Sequence, residues 1–192
     1  MKKFFYSATF VILFGSISLL AQDFAKKGVW ELGGMIGFSS TTVVFDGETG
    51  EEALTEFTFE PYIGYFVINC LELGLIPSFS SLSQGDASIS SFDIYFAPAW
   101  NFNLHSEAFP YLEGRIGYGT DTYDFGEGDD ETLSGLSWGV RGGLKYQLGS
   151  SALVNVSLGY TQSTRNPKDW DGGRNGSNIF DIMAGFTVFF GK

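Results

Sequence analysis

Phe92-Asp93-Ile94-Tyr95-Phe96-Ala97-Pro98-Ala99-Trp100-Asn101-Phe102 is the stretch whose reading decides the fold. Successive side chains of an extended chain point to opposite faces. Phe92, Ile94, Phe96, Pro98, Trp100 and Phe102 therefore share one face, and Asp93, Tyr95, Ala97, Ala99 and Asn101 share the other. The first face carries aromatics at both ends and no charge; the second is small, polar or acidic. The same period of two recurs over 30–38, 57–67, 71–79, 112–118, 136–146, 154–160 and 180–190. With 92–102 that makes eight strands, each close to the roughly 9–11 tilted residues that cross a bilayer.

Which face points outward decides the class. A soluble sandwich or barrel turns its apolar face inward and covers its polar face with charge. Here the polar faces are built of Gly, Ser, Thr and Ala with scattered carboxylates, which suits a crowded interior. An eight-stranded barrel has a lumen only wide enough for side chains to fill. The apolar faces carry rings near both strand ends. Trp30, Tyr65, Trp100, Tyr146 and Phe190 fall at one rim, and Phe57, Phe92, Trp138, Tyr160 and Phe180 at the other. That is the aromatic girdle of a membrane-spanning barrel. The expected fold is an all-β, eight-stranded, antiparallel up-and-down transmembrane barrel, which leaves no bare strand edge in lipid.

Composition agrees. The 192 residues include 26 Gly, about twice the ordinary share of roughly 7%. Charged residues reach only 17%, against about 25% in a typical soluble domain, yet the formal net charge is −11. With 11 Lys and Arg, the chain lacks the basic clusters that neutralise phosphates, which argues against a nucleic-acid partner. One Cys forms no intrachain disulfide and no Cys-rich metal site. Lys2 and Lys3 precede an apolar stretch from Phe4 to Leu20 that ends in Ala21, the layout of a secretory signal peptide. We therefore expect a signal peptide over 1–21 and a barrel domain over 22–192. An uncleaved N-terminal anchor is the other option, weakened by Ser7, Thr9, Ser16 and Ser18.

The connections alternate in length: 46–54, 69–70, 83–88, 103–108, 124–132, 149–151 and 166–177. Outer-membrane barrels place short turns and both termini on the periplasmic side and longer loops outside. The loops 46–52 and 126–131 gather carboxylates that Ca²⁺ could use, but not at EF-hand spacing, so no metal site is assigned. Trp170 and Arg174, in the longest loop, are the candidate contacts for a surface partner or a lipopolysaccharide sugar.

The candidate site is the lumen. Glu31, Glu56, Glu60, Glu72, Asp93, Glu113 and Asp181 face inward with Arg115, Arg141 and Lys145. The acids outnumber the bases, so water, protonation or a cation must balance the remainder. One outcome is a hydrated ion-pair network that fills the barrel. The other is a narrow ion path gated by exchange of Arg115 or Arg141 between carboxylates. Neither is a catalytic arrangement. His105, Ser106 and Glu107 hold the residue types of a hydrolase triad, but neighbours in a turn do not converge as triad members do. No catalytic residue and no cofactor is expected.

The eight alternating strands, the signal peptide and the aromatic-rich last strand together resemble the small outer-membrane barrels of the OmpX/OmpA-type superfamily. Gly185-Phe186-Thr187-Val188-Phe189-Phe190 resembles the C-terminal signal read by the barrel-assembly machinery, with Gly191 and Lys192 added after the terminal aromatic. The resemblance implies an outer-membrane location and, as partners, membrane lipids, lipopolysaccharide and that assembly machinery. Its leading implication for function is a structural or adhesive role through the loops, with ion conduction as the alternative. A secreted lipocalin-like barrel is a third option, because Gly28-Val29-Trp30 matches a Gly-x-Trp pattern; it requires the two faces to be reversed.

Overall fold

In a computed structural model of the chain, which describes residues 24–84, 87–104, 106–124, 131–167 and 171–191, eight antiparallel strands close into a barrel. They are β1 Val29–Phe45, β2 Glu48–Ile68, β3 Leu71–Gln84, β4 Ala87–Asn101, β5 Ala108–Asp124, β6 Glu131–Gln147, β7 Ala152–Ser163 and β8 Gly176–Gly191. Each strand pairs with its sequence neighbours, and β8 returns to β1 through Trp30↔Phe190 and Phe38↔Ile182. The described residues contain no helix. The signal segment 1–21, residues 125–130, His105 and Trp170 lie outside the described residues.

The faces fall as the alternation requires. Leu75, Phe96, Leu112 and Ile182 on the apolar faces are exposed. Glu31, Glu72, Arg141 and Asp181 on the opposite faces are buried inside the barrel. A lipocalin-like barrel would show the reverse. Both expected aromatic rims form. Trp30 pairs with Tyr65 and Phe190 near the end that bears the termini. Toward the other end, Phe79 pairs with Phe92 and Tyr160 with Phe180, their ring centroids 4.9 and 4.8 Å apart.

Small inner residues make the narrow lumen possible. A Cβ added at Gly64 would strike the Glu72 carboxylate, and one at Gly159 would strike that of Asp181. These positions are glycine because a charged side chain from the neighbouring strand needs the space.

The strand ends differ from expectation at the loop end. Residues 46–54 are not a long loop. β1 and β2 run on as a paired hairpin to Phe45↔Glu48, closed by Asp46 and Gly47 with φ of 49° and 82°. Two successive residues at positive φ suit the right-handed strand twist, and Asp-Gly is a favoured pair there. Residues 83–88 shorten likewise, since β3 and β4 pair to Gln84↔Ala87. Gly176 and Ser177 belong to β8, so the β7–β8 loop is 164–175. The 21-residue β2 is about twice the length needed to cross a bilayer, and its surplus stands beyond the aromatic rim.

Leu75 pairs with Phe96 midway between the two rims. Leu75→Arg is expected to destabilise the barrel by about 2–4 kcal/mol, the cost of an arginine on the lipid face near the midplane. Urea titration of the protein folded into phospholipid vesicles measures it.

Candidate functional site

The lumen is filled in layers from the end bearing the termini. Ahead of β1, Phe24 tucks into the barrel mouth and is 1% exposed. Its ring meets those of Phe66, Phe109 and Phe189 edge-on, with centroids 4.9–5.3 Å apart. The Cys70 amide donates to the Ala25 carbonyl at 2.8 Å and holds this segment in place. Above the aromatic layer, the Lys145 ammonium donates to Glu31 at 2.6 Å and to Glu72 at 2.9 Å. Thr187 and Asn101 donate to the same two carboxylates. Lys145 also lies 5.2–5.4 Å from the ring centroids of Phe24, Tyr62 and Tyr111, so π-faces replace part of its lost hydration.

The middle layer is organised by Glu60 of β2. Arg115 of β5 donates to it at 3.0 Å and Arg141 of β6 at 2.5 Å. Arg115 also holds Glu113 at 2.7 Å, and Arg141 holds Asp181 at 2.9 Å. Glu113 and Arg141 are directly opposed on β5 and β6, which places both on this level. Charges this deeply buried persist only when paired and hydrogen-bonded. This chain of charges crosses the lumen and separates two cavities. The smaller, about 20 Å³, lies between the bar and Lys145, room for a water molecule. The larger, about 70 Å³, extends toward the loop end.

The third layer uses a residue that the sequence pattern does not reveal. Arg165, in the β7–β8 loop, turns into the barrel and is 1% exposed. It donates to both oxygens of Asp93 at 2.8 and 3.0 Å and pairs with Asp121 at 3.2 Å. Burial works against its charge, but those carboxylates more than offset this and raise its pKa. Asp121 is likewise new, from the loop-end extension of β5. Glu56 is different: its carboxylate accepts from Thr41 at 2.8 Å and Ser39 at 3.5 Å, hydroxyls rather than cations.

The structure thus places Glu31, Glu60, Glu72, Asp93, Glu113, Arg115, Arg141, Lys145 and Asp181 in three stacked ion-pair layers inside the barrel, while Glu56, also inside, meets hydroxyls. Of the two loop candidates, Arg174 is partly buried. Its guanidinium donates to the backbone carbonyl of Ser163 and, at 2.8 Å, to Asn178 Oδ1. Its own carbonyl accepts from the Gly47 amide at 3.0 Å. Asp46 accepts from the Gly173 amide, while its own amide donates to Asn175 Oδ1 at 2.8 Å. The β1–β2 hairpin and the β7–β8 loop are therefore latched together. Among the described residues no group of three His, Cys, Asp or Glu is placed to hold a metal.

Comparison with known proteins agrees with a barrel of the outer membrane. The sequence matches the outer membrane protein beta-barrel domain over residues 9–187. The chain belongs to that family. It is an integral β-barrel protein of the outer membrane. Among solved structures, it is similar to Neisserial surface protein A, with 16% identity and a TM-score of 0.70 over 85% of this chain and 100% of the other. It is also similar to the N-terminal barrel domain of Pseudomonas aeruginosa OprF, with 14% identity and a TM-score of 0.56 over 85% and 98%. For the outer membrane protein OprG of the same organism the values are 16% and 0.51 over 87% and 98%. At these identities the likeness concerns the fold. A search of curated protein sequences gives no match.

Glu60→Ala removes the acceptor shared by two buried guanidiniums. We expect a loss of about 3 kcal/mol, the low end for breaking a buried pair, because Arg115 keeps Glu113 and Arg141 keeps Asp181. Glu56→Gln, which disturbs hydroxyl partners only, should cost about 1 kcal/mol. Urea midpoints of the two variants in vesicles test the ranking.

Proposed function

We propose that this protein is a non-enzymatic outer-membrane barrel whose role is structural and adhesive, exercised through its loop end. The observation that carries this reading is the filled lumen. The Phe24 layer, the Lys145 layer and the Glu60–Arg141 bar occupy its cross-section in succession. What is left is the loop end, where the hairpin of β1 and β2 is extended well beyond the rim and latched to the loop 164–175. That investment in ordered structure beyond the membrane supports a surface that contacts something. The loop end would face the cell exterior and the termini the periplasm, in keeping with the arrangement of bacterial barrels. Membrane lipids would lie against the apolar band, lipopolysaccharide against the outer rim, and the assembly machinery would read the last strand.

The test replaces residues 167–172 with a short Gly-Ser link, leaving Arg165, Arg174 and Asn175 to hold the loop base. Attachment of cells to one another and to cell monolayers should fall several-fold while the barrel remains in the outer membrane at its normal level. Undiminished attachment contradicts the reading.

A second reading, ion conduction, is favoured by the excess of lumen carboxylates over cations. In planar bilayers, the filled lumen predicts no resolved conductance steps for the unaltered protein. Steps that change size in Arg141→Ala would place transport first.

A further inference from the structure

The larger cavity has unlike walls. Leu82 of β3, Ile89 of β4 and Tyr123 of β5 are paired directly across adjacent strands and line it together. Val43 of β1 and Ile179 of β8 line the opposite wall. Apolar side chains deeper in the lumen, such as Ile76 and Met183, are packed shut at 2% and 1% exposure. Val43 is instead 44% exposed, and Leu82, Ile89 and Ile179 are half-buried. Leaving apolar surface open to water inside a polar lumen is unfavourable, and covering it with an apolar group recovers that free energy.

Below this collar the lining changes to hydroxyls, including Ser39, Thr41, Thr58 and Ser80, and to one carboxylate of a distinct kind. Glu60, Asp93, Asp121 and Asp181 each have an arginine partner. Glu56 also faces the cavity and is only 8% exposed, yet among the described residues no lysine or arginine lies within ion-pair distance of it. Thr41 and Ser39 both donate to its Oε2, and Thr41 is directly paired with Ile179. The carboxyl group without a cation partner and the open apolar wall are thus side by side.

We propose that this cavity binds a protonated amine carrying an apolar chain. The ammonium would sit on Glu56 and share its remaining N–H donors with the neighbouring hydroxyls, while the chain covers Val43 and Ile179. An anionic amphiphile does not suit the site, because the guanidiniums at its floor are already paired and Glu56 would repel it. A metal ion does not suit it either, since among the described residues no group of three His, Cys, Asp or Glu converges there. The inference is independent of whether the loops carry an adhesive function.

Octylamine is the probe, titrated by calorimetry against the full-length protein in lipid nanodiscs, with empty nanodiscs measuring its partition into lipid. The expected result is saturable binding beyond that partition, weakened at least ten-fold in Glu56→Gln and in Ile179→Asn, and absent for octanoate. Binding should also vanish as pH rises through the amine's pKa, roughly 10.4 by analogy with lysine. This arm uses the unaltered protein and stands even if a variant fails to fold. Octylamine uptake equal to that of empty nanodiscs overturns the proposal. So does equal affinity for octanoate, unchanged affinity in Glu56→Gln, or binding that survives deprotonation of the amine.

Discussion

A peptide backbone in lipid has no water to bond, so every N–H and C=O within the membrane must find a partner on the chain itself. The closure of β8 onto β1 meets that demand, and the rest of the structure follows from it. Closing eight strands fixes a narrow lumen. A narrow lumen forces glycine beside charged neighbours, as at Gly64 and Gly159. The apolar residues go outside, where they face acyl chains, and the carboxylates go inside, where they must be paired. The barrel is inverted relative to a soluble protein for the same reason that it is closed.

Much of this is legible in the sequence because the side-chain period of a strand is two. A stretch such as 92–102 separates its residues into faces without any tertiary information, and Phe92, Trp100 and Asp93 lie where that separation puts them. Strand extent is harder to read. Polarity above the membrane no longer distinguishes strand from loop, because paired strands in water tolerate Glu and Thr. Residues 48–54 therefore read as loop although their backbone is paired with β1. Asp46-Gly47 was the available signal for a two-residue turn. Arg165 gave no such signal: it follows the end of β7, where no periodicity assigns a face. Its partner Asp121 lies on β5 beyond the aromatic rim, where polar residues on both faces weaken the alternation. Phe24 precedes the first strand altogether, and its burial follows from the shape of the barrel mouth rather than from local pattern.

The lumen charges show how one network can be both filling and asymmetric. Toward the termini, Lys145 is held by Glu31 and Glu72 and capped by aromatic rings. At the centre, Glu60 joins two arginines whose outer partners sit on different strands, so β2, β5, β6 and β8 are tied across the lumen. Toward the loops, Arg165 arrives from outside the sheet, and among the described residues Glu56 meets hydroxyls and no cation. The packing is therefore tight where β1 begins and looser where the loops lie. The apolar collar, the hydroxyls below it and the Glu56 carboxylate all belong to this looser end.

The central claim is a closed barrel with its apolar face in the lipid. Gel migration of the outer-membrane fraction, with and without boiling in detergent, tests it most directly. A closed barrel resists detergent alone, so the unboiled protein should migrate differently from the boiled, unfolded chain. Identical migration, with the protein recovered in the soluble fraction, would contradict the account and mean that the apolar faces point inward.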